Sequence, residues 1–293
     1  MVILVATLIM RKPIFKNITS AGMLLVLVIF AFSCKKAAIV NGPPVTKVTN
    51  PDTTTTPATD TTTFTNLVWS DEFNGTSVDG TKWNFETGNL GVNNEKEYYQ
   101  AANATVANGN LVITAKEQNV GGWPYTSARM NTANKFNVTY GKIEARIKLP
   151  MGAGLWPAFW MLGADINTGV SWPGCGETDI MEHINADSLI YGTMHWSNGG
   201  NAASYGLNLA SSPSEYHIYS VEWDKYSIRW FVDNTLYVTG NIANDVNSTD
   251  AFHKPFFLIL NLAVAGDFPG QTVDLSKLPA AMYVDYIRVY AAN

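Results

Sequence analysis

The stretch Gly141-Lys-Ile-Glu-Ala-Arg-Ile-Lys-Leu149 alternates strictly: Lys142, Glu144, Arg146 and Lys148 are charged, and Ile143, Ala145 and Ile147 between them are apolar. A period of two puts one face in a core and the other in water, which is the pattern of a half-buried strand. Outward from it the chain repeats the theme in Leu111–Ala115, Ile218–Trp223, Ile228–Val232, Phe256–Leu262 and Tyr283–Tyr290. Asp233-Asn234 falls between two such runs as a hairpin turn. No long segment of helical period interrupts them. Many short strands without intervening helices predict an all-β chain folded as an antiparallel β-sandwich.

Composition narrows the function classes. Of 293 residues, 19 are basic and 24 acidic, a net charge of −5. Phosphate neutralisation needs clustered Lys and Arg in excess, so no nucleic-acid partner is expected. A hydrophobic fraction of 46% supports a sizeable core and excludes a disordered acidic protein. Aromatics are abundant, with 9 Trp, 13 Tyr and 13 Phe. Flat, weakly polar rings in excess suit either a β-rich core or a ligand with flat faces such as carbohydrate. The two cysteines, Cys34 and Cys175, lie in such different settings that no disulfide is expected.

Three regions follow from the pattern. Residues 1–34 read as a signal peptide: Arg11, Lys12 and Lys16 precede the apolar run Met23–Phe32, which is short for a membrane span. Ala31-Phe32-Ser33-Cys34 resembles the lipobox of bacterial lipoproteins, which would make Cys34 the lipidated mature N-terminus and the anchor to a membrane. That implies an exported cell-envelope lipoprotein of a diderm bacterium, on the periplasmic or the surface face. An ordinary signal peptide would give a secreted protein instead. Residues 35–63, with Pro43-Pro44, Pro51, Pro57 and runs of threonine, read as a flexible linker. Residues 64–293 form one domain, expected to act as a monomer.

Within that domain, Glu177-Thr-Asp179-Ile-Met-Glu182 places three acids in an otherwise apolar strand. Regular alternation would send Glu182 to the face opposite Glu177 and Asp179, a costly position if that face is core. One inserted residue, a β-bulge near Ile180-Met181, returns Glu182 to their side. Two carboxyl groups in one cleft suit retaining glycoside hydrolysis, one as nucleophile and one as acid/base. A solvated acidic strand and a calcium site are the alternatives for such a spacing taken alone. Trp156, Trp160, Trp172 and Trp196 lie within about twenty residues of the acids, and Gly-rich turns flank the strand.

These residues resemble glycoside hydrolase family 16 in its bulged form. The resemblance runs from about Leu67 to Tyr290. It is carried by Glu177–Glu182 together with Trp69-Ser-Asp-Glu-Phe73, Asn93-Asn-Glu-Lys-Glu-Tyr-Tyr99, Tyr125–Asn131, Gly154-Leu-Trp-Pro-Ala-Phe-Trp-Met-Leu162, Gly192-Thr-Met-His-Trp196 and Pro255–Val264. It implies a jelly roll with a concave substrate groove and endo-acting, retaining cleavage of a β-linked polysaccharide without a catalytic cofactor. In the bulged branch the commonest substrate is β-1,3-glucan, as in laminarinases. Mixed-linkage β-1,3-1,4-glucan, a galactan such as agar, and a non-catalytic glycan-binding protein are the alternatives.

Carried over residue by residue, the resemblance makes Glu177 the nucleophile, Glu182 the acid/base and Asp179 their assistant. Trp156, Trp160 and Trp172 become walls beside the cleaved bond, with core packing as the competing reading. Asn94 and Arg129 become partners of sugar hydroxyls, and Arg129 could equally serve a salt bridge. His195 would face Asp179 or the sugar, and Asn261 the groove. Phe268, in Ala265-Gly-Asp-Phe-Pro-Gly270, stands where the family often has Trp, which removes an indole N–H from a subsite. Glu72, Asp285 and a carbonyl near Gly109 match the places of a structural calcium ion on the convex side. Cys175 reads as a small buried filler, and His183, His217 and His253 as structural.

Overall fold

The computed structural model describes residues 63–292. The expected signal and lipidation segment, Cys34 included, and the expected linker up to residue 62 lie outside the described residues. In chain order the strands are β1 (Phe64–Asp71), β2 (Asn84–Phe85), β3 (Glu97–Tyr99), β4 (Ala104–Ala107), β5 (Asn110–Val120), β6 (Trp123–Ser127), β7 (Arg129–Asn131), β8 (Gly141–Lys148) and β9 (Leu155–Gly163). They continue with β10 (Glu177–Glu182), β11 (Leu189–Asn198), β12 (Asn201–Ala210), β13 (His217–Trp223), β14 (Ser227–Val232), β15 (Thr235–Asn241), β16 (Phe256–Val264) and β17 (Ala280–Ala292). The helical pieces among the described residues are short 3₁₀ segments, and none could cross a membrane.

The strands form two sheets. A ten-stranded sheet runs β15-β14-β13-β8-β17-β5-β6-β3, with β1 beside β17 and β4 beside β5. A seven-stranded sheet runs β12-β11-β10-β9-β16-β7-β2. Neighbours are antiparallel except β3 and β6. The expected sandwich is therefore present. Strand β8 alternates as its sequence requires: Ile143, Ala145 and Ile147 are buried, while Lys142, Arg146 and Lys148 are partly exposed. Glu144 departs from the pattern and is buried, with its carboxylate 2.7 Å from the Lys142 ammonium. The outermost pairing, Phe64 with Ala292, sets the first and last strands of the domain side by side.

The core lies between the sheets. Ile143, Ala145, Tyr219, Val221, Trp223, Ile287 and Val289 from one meet Phe159, Met161, Ile180, Met181, Leu258 and Leu260 from the other. In the seven-stranded sheet β9, β10 and β16 are buried on both faces. Their second face has its own small clusters, one holding Trp160, Leu162, Cys175 and Ile259, another holding Trp156, Ile184 and Ala263. Cys175 fills space there, as its sequence context suggests. His183 bonds the Asp187 carbonyl, His217 the Asp233 carboxylate, and His253 the Tyr140 hydroxyl, so all three serve structure.

The register of β10 breaks between Asp179 and Met181 against β9, and between Asp179 and Glu182 against β11. The bulge is thus at the expected place. At the bulge, Trp230 of the facing sheet crosses the core to donate its indole N–H to the Asp179 carbonyl at 2.8 Å. A buried carbonyl without a partner costs stability, so this contact helps hold the bulge. Trp230→Phe should lower stability by about 1–3 kcal/mol, read as the urea midpoint. It should also reduce turnover, because the strand carrying the acids loses its anchor; unchanged kinetics would show that the bulge holds its shape without the indole.

Candidate active site

Strand β10 presents its three acids to the outer face of the seven-stranded sheet. Opposite Glu177 in the ladders stand Leu162 and His195, opposite Asp179 stand Trp160 and Thr193, and opposite Glu182 stand Ala158 and Tyr191. The displaced pair Ile180 and Met181 goes to the core. All three acids are buried, Asp179 completely. Indole and imidazole nitrogens contact them. Trp172 donates its indole N–H to Glu177 Oε2 at 3.0 Å, and Trp156 donates to Glu182 Oε1 at 3.0 Å. His195 Nε2 lies 3.1 Å from Asp179 Oδ2 and 3.9 Å from Glu177 Oε1. The ligating atoms of Glu177, Asp179 and His195 all fall within 4.8 Å of one another, close enough to hold a cation or to share a proton.

Glu177 and Glu182 open into one cleft, whose other walls include Asn93, Glu95, Arg129, Trp156, Trp160, Trp172 and Asn261. Most of the expected substrate-contacting residues are therefore gathered here. The tryptophans differ from bare stacking platforms, however. Trp156 and Trp160 are largely buried, and Trp160 donates its N–H to Asn261 Oδ1 at 2.8 Å. Arg129 makes the salt bridge of one reading, 3.0 Å from Glu86, stacks 4.9 Å from the Trp160 ring, and lines the cleft. Burial alone would weaken its charge, but Glu86, Tyr99 and Glu95 more than restore it and raise its pKa.

Two expected contacts lie at the margin. Asn94 is exposed and donates to Asp267 at 2.6 Å, strapping its loop to the one that follows β16. Phe268 packs edge-on against Trp156 and Tyr191, with ring centroids 5.7 and 5.1 Å apart. It supports the wall from behind.

The residues matched to a calcium site do not fit an ion as they stand. Arg288 grips Glu72 with two hydrogen bonds of 2.9 and 2.8 Å, which holds that carboxyl below the usual range. Asp285 pairs with Arg146. Each acid is neutralised by its own guanidinium, so the structure gives the calcium expectation no support, and Gly109 gains no role from it.

Sequence reasoning passed over Glu95 and Glu97. Both are buried, and Glu95 lines the cleft. The signal was present in Asn93–Tyr99, where Glu95, Glu97 and Tyr99 alternate with Lys96 and Tyr98, the period that turns all three to one side.

The chain is similar to known proteins. The profile of Glycosyl hydrolases family 16 matches residues 92–288. The chain belongs to that family. Among its relatives, a beta-glucanase of Rhodothermus marinus is 39% identical over 76% of this chain and 84% of its own length. The clotting factor G alpha subunit of Tachypleus tridentatus is 45% identical, also over 76% of this chain but only 34% of its own. The crystal structure of the laminarinase catalytic domain from Thermotoga maritima superposes with a TM-score of 0.71 at 44% identity, covering 77% of this chain and 98% of that one. The sandwich is accordingly the family's jelly roll, and the protein is a glycoside hydrolase. Family members need no catalytic cofactor.

Asp179 is wholly buried beside His195, on the same strand as the two glutamates. Asp179→Asn keeps the shape but removes the charge facing His195. Preorganised charge of this kind is worth about a hundredfold or more in rate, so kcat should fall by that order with a normal thermal midpoint. A kcat near wild type would remove Asp179 from the machinery.

Proposed function

We propose that the protein is an exported, endo-acting, retaining glycoside hydrolase of β-1,3-glucan, tethered to a membrane by lipid at Cys34. The observation that carries the chemistry is the pair Glu177 and Glu182, brought by one bulged strand into one cleft, each with an indole N–H on its carboxyl. The laminarinase and beta-glucanase relatives support the substrate. The bulged acid motif and the Cys34 context support the branch and the export.

In the first step Glu177 attacks the anomeric carbon while the glycosidic C–O bond breaks, and Glu182 gives its proton to the departing oxygen. The resulting ester joins Glu177 to the sugar. In the second step Glu182 takes a proton from water, the water oxygen bonds the anomeric carbon, and Glu177 leaves as carboxylate. Two inversions return the original configuration. Asp179 and His195, linked at 3.1 Å, steady the nucleophile's side of the site. Trp156, Trp160 and Trp172 shape the walls, and Arg129 and Asn261 offer polar contacts to sugar hydroxyls.

The full chain should release reducing ends from laminarin faster than from lichenan, agarose or a β-1,4-glucan, with β-anomeric product first. Early α-anomer would remove Glu177 as nucleophile, and preference for agarose would move the substrate to galactan. Glu177→Gln and Glu182→Gln should each cut turnover by about four orders of magnitude or more, given what double displacement draws from each group, with circular dichroism unchanged. In a diderm host, Cys34→Ser should move the protein from the membrane pellet to the soluble fraction; an unaltered pellet would refute the anchor.

A further inference from the structure

The cleft carries a second pair of carboxyl groups that double displacement does not use. Glu95 is 6% exposed and lines the same space as Glu177 and Glu182, while Glu97 is wholly buried behind it. Both oxygens of Glu95 are occupied: Oε1 accepts from Asn93 Nδ2 at 2.9 Å and Oε2 from the Tyr99 hydroxyl at 3.1 Å. The Tyr99 hydroxyl is reached in turn by Asn261 Nδ2 at 3.4 Å. Glu97 Oε2 accepts the Val264 backbone N–H at 2.6 Å. Glu97 Oε1 is different. It is buried, receives no N–H or O–H from any described residue, and its carboxyl abuts that of Glu95.

The surrounding charges do not rescue a second anion. Arg129 faces Glu95 and Tyr99 but is already paired with Glu86 at 3.0 Å. Lys96 turns its ammonium to the Gln271 carbonyl at 3.0 Å. Tyr125, the ladder partner of Glu97 on β6, carries no positive charge. Two abutting buried carboxyls cannot both be ionised without a cation, and an orphaned buried oxygen is satisfied if it holds a proton.

We infer that Glu97 works as a protonated acid whose Oε1–H is donated to Glu95, and that this bond positions Glu95 as a singly charged acceptor for a sugar hydroxyl in the cleft. Glu97 is thus a positioning residue and Glu95 a substrate-binding one. The inference rests on the reading of the cleft as a polysaccharide groove. Burial first, and the Glu95 charge second, push the Glu97 carboxyl well above its ordinary range, in keeping with a retained proton. Because its folded-state pKa is raised, the stability that Glu97 contributes is complete below the ordinary carboxyl range and is lost as pH rises through the raised value.

The test uses the full chain and three variants, Glu97→Gln, Glu97→Leu and Glu95→Gln. The amide of Glu97→Gln keeps a donor for Glu95 and an acceptor for Val264 but has no proton to lose. Its KM for laminarin should stay within about twofold of wild type at neutral pH. Toward alkaline pH, its KM and thermal midpoint should stay flat while the wild-type KM rises and the wild-type midpoint falls. Glu97→Leu and Glu95→Gln should each raise KM about tenfold, with kcat changed far less. The infrared difference between wild type and Glu97→Gln at neutral pH should show the C=O stretch of a protonated carboxyl. Absence of that band, a neutral-pH KM for Glu97→Gln as high as for Glu97→Leu, or an unchanged KM in Glu95→Gln would each overturn the inference. The band and the midpoints need no substrate. A wild-type chain that cleaves no glucan would therefore refute the proposed activity, while the band still decides the proton.

Discussion

The structure turns on one extra residue in a strand that is buried on both faces. A regular β10 would send Glu182 into the apolar layer between the sheets, where an unpaired carboxylate costs several kcal/mol. The break after Asp179 lets Ile180 and Met181 fill that layer and returns Glu182 to the outer face. Much else answers to this break. The Asp179 carbonyl beside it accepts the indole N–H of Trp230 from the facing sheet, so the strand of acids is held from the core side as well as along its two ladders.

The tryptophan excess has a second meaning. Rings in such number suggest surfaces for sugar, yet the best-defined contacts of these indoles are their N–H groups. Trp156 serves Glu182, Trp172 serves Glu177, Trp160 serves Asn261, Trp230 serves the Asp179 carbonyl and Trp83 serves Asp71. An indole is a donor that brings its own apolar surroundings. It can bond a carboxylate in a dry site without adding the permanent positive charge that a lysine or arginine would leave beside it. The ring and the N–H therefore act together: one excludes water and the other replaces it.

What could be read in advance follows physical lines. Period-two alternation exposes the strands, and the conflict between that alternation and three acids locates the bulge. His195 beside Asp179 was legible through the family resemblance alone, since a lone histidine carries no spacing signal. Glu95 and Glu97 give no such conflict, because Glu97 opens a three-residue strand that pairs with β6 and Glu95 lies in the loop before it, far in sequence from the acid motif. Only tertiary structure shows that Glu95 reaches the cleft and that Glu97 finds no cation. The calcium expectation depended on two acids and a glycine matched by position; the arginines that engage those acids, Arg146 and Arg288, come from other places in the strands and could not be paired with them from sequence.

The pairing of Phe64 with Ala292 brings the two ends of the domain to one corner of the ten-stranded sheet. A unit built this way is modular. Its boundaries are neighbours in space, so it can be attached by either end, or spliced into another chain, without its termini being drawn apart across the sandwich. Load arriving at Phe64 is met first by β17, the long strand that also borders β5 and β8. The cleft lies on the other sheet, whose β7 and β9 continue directly from β6 and β8, so a pull at that corner reaches the acids through those connections as well as through the core.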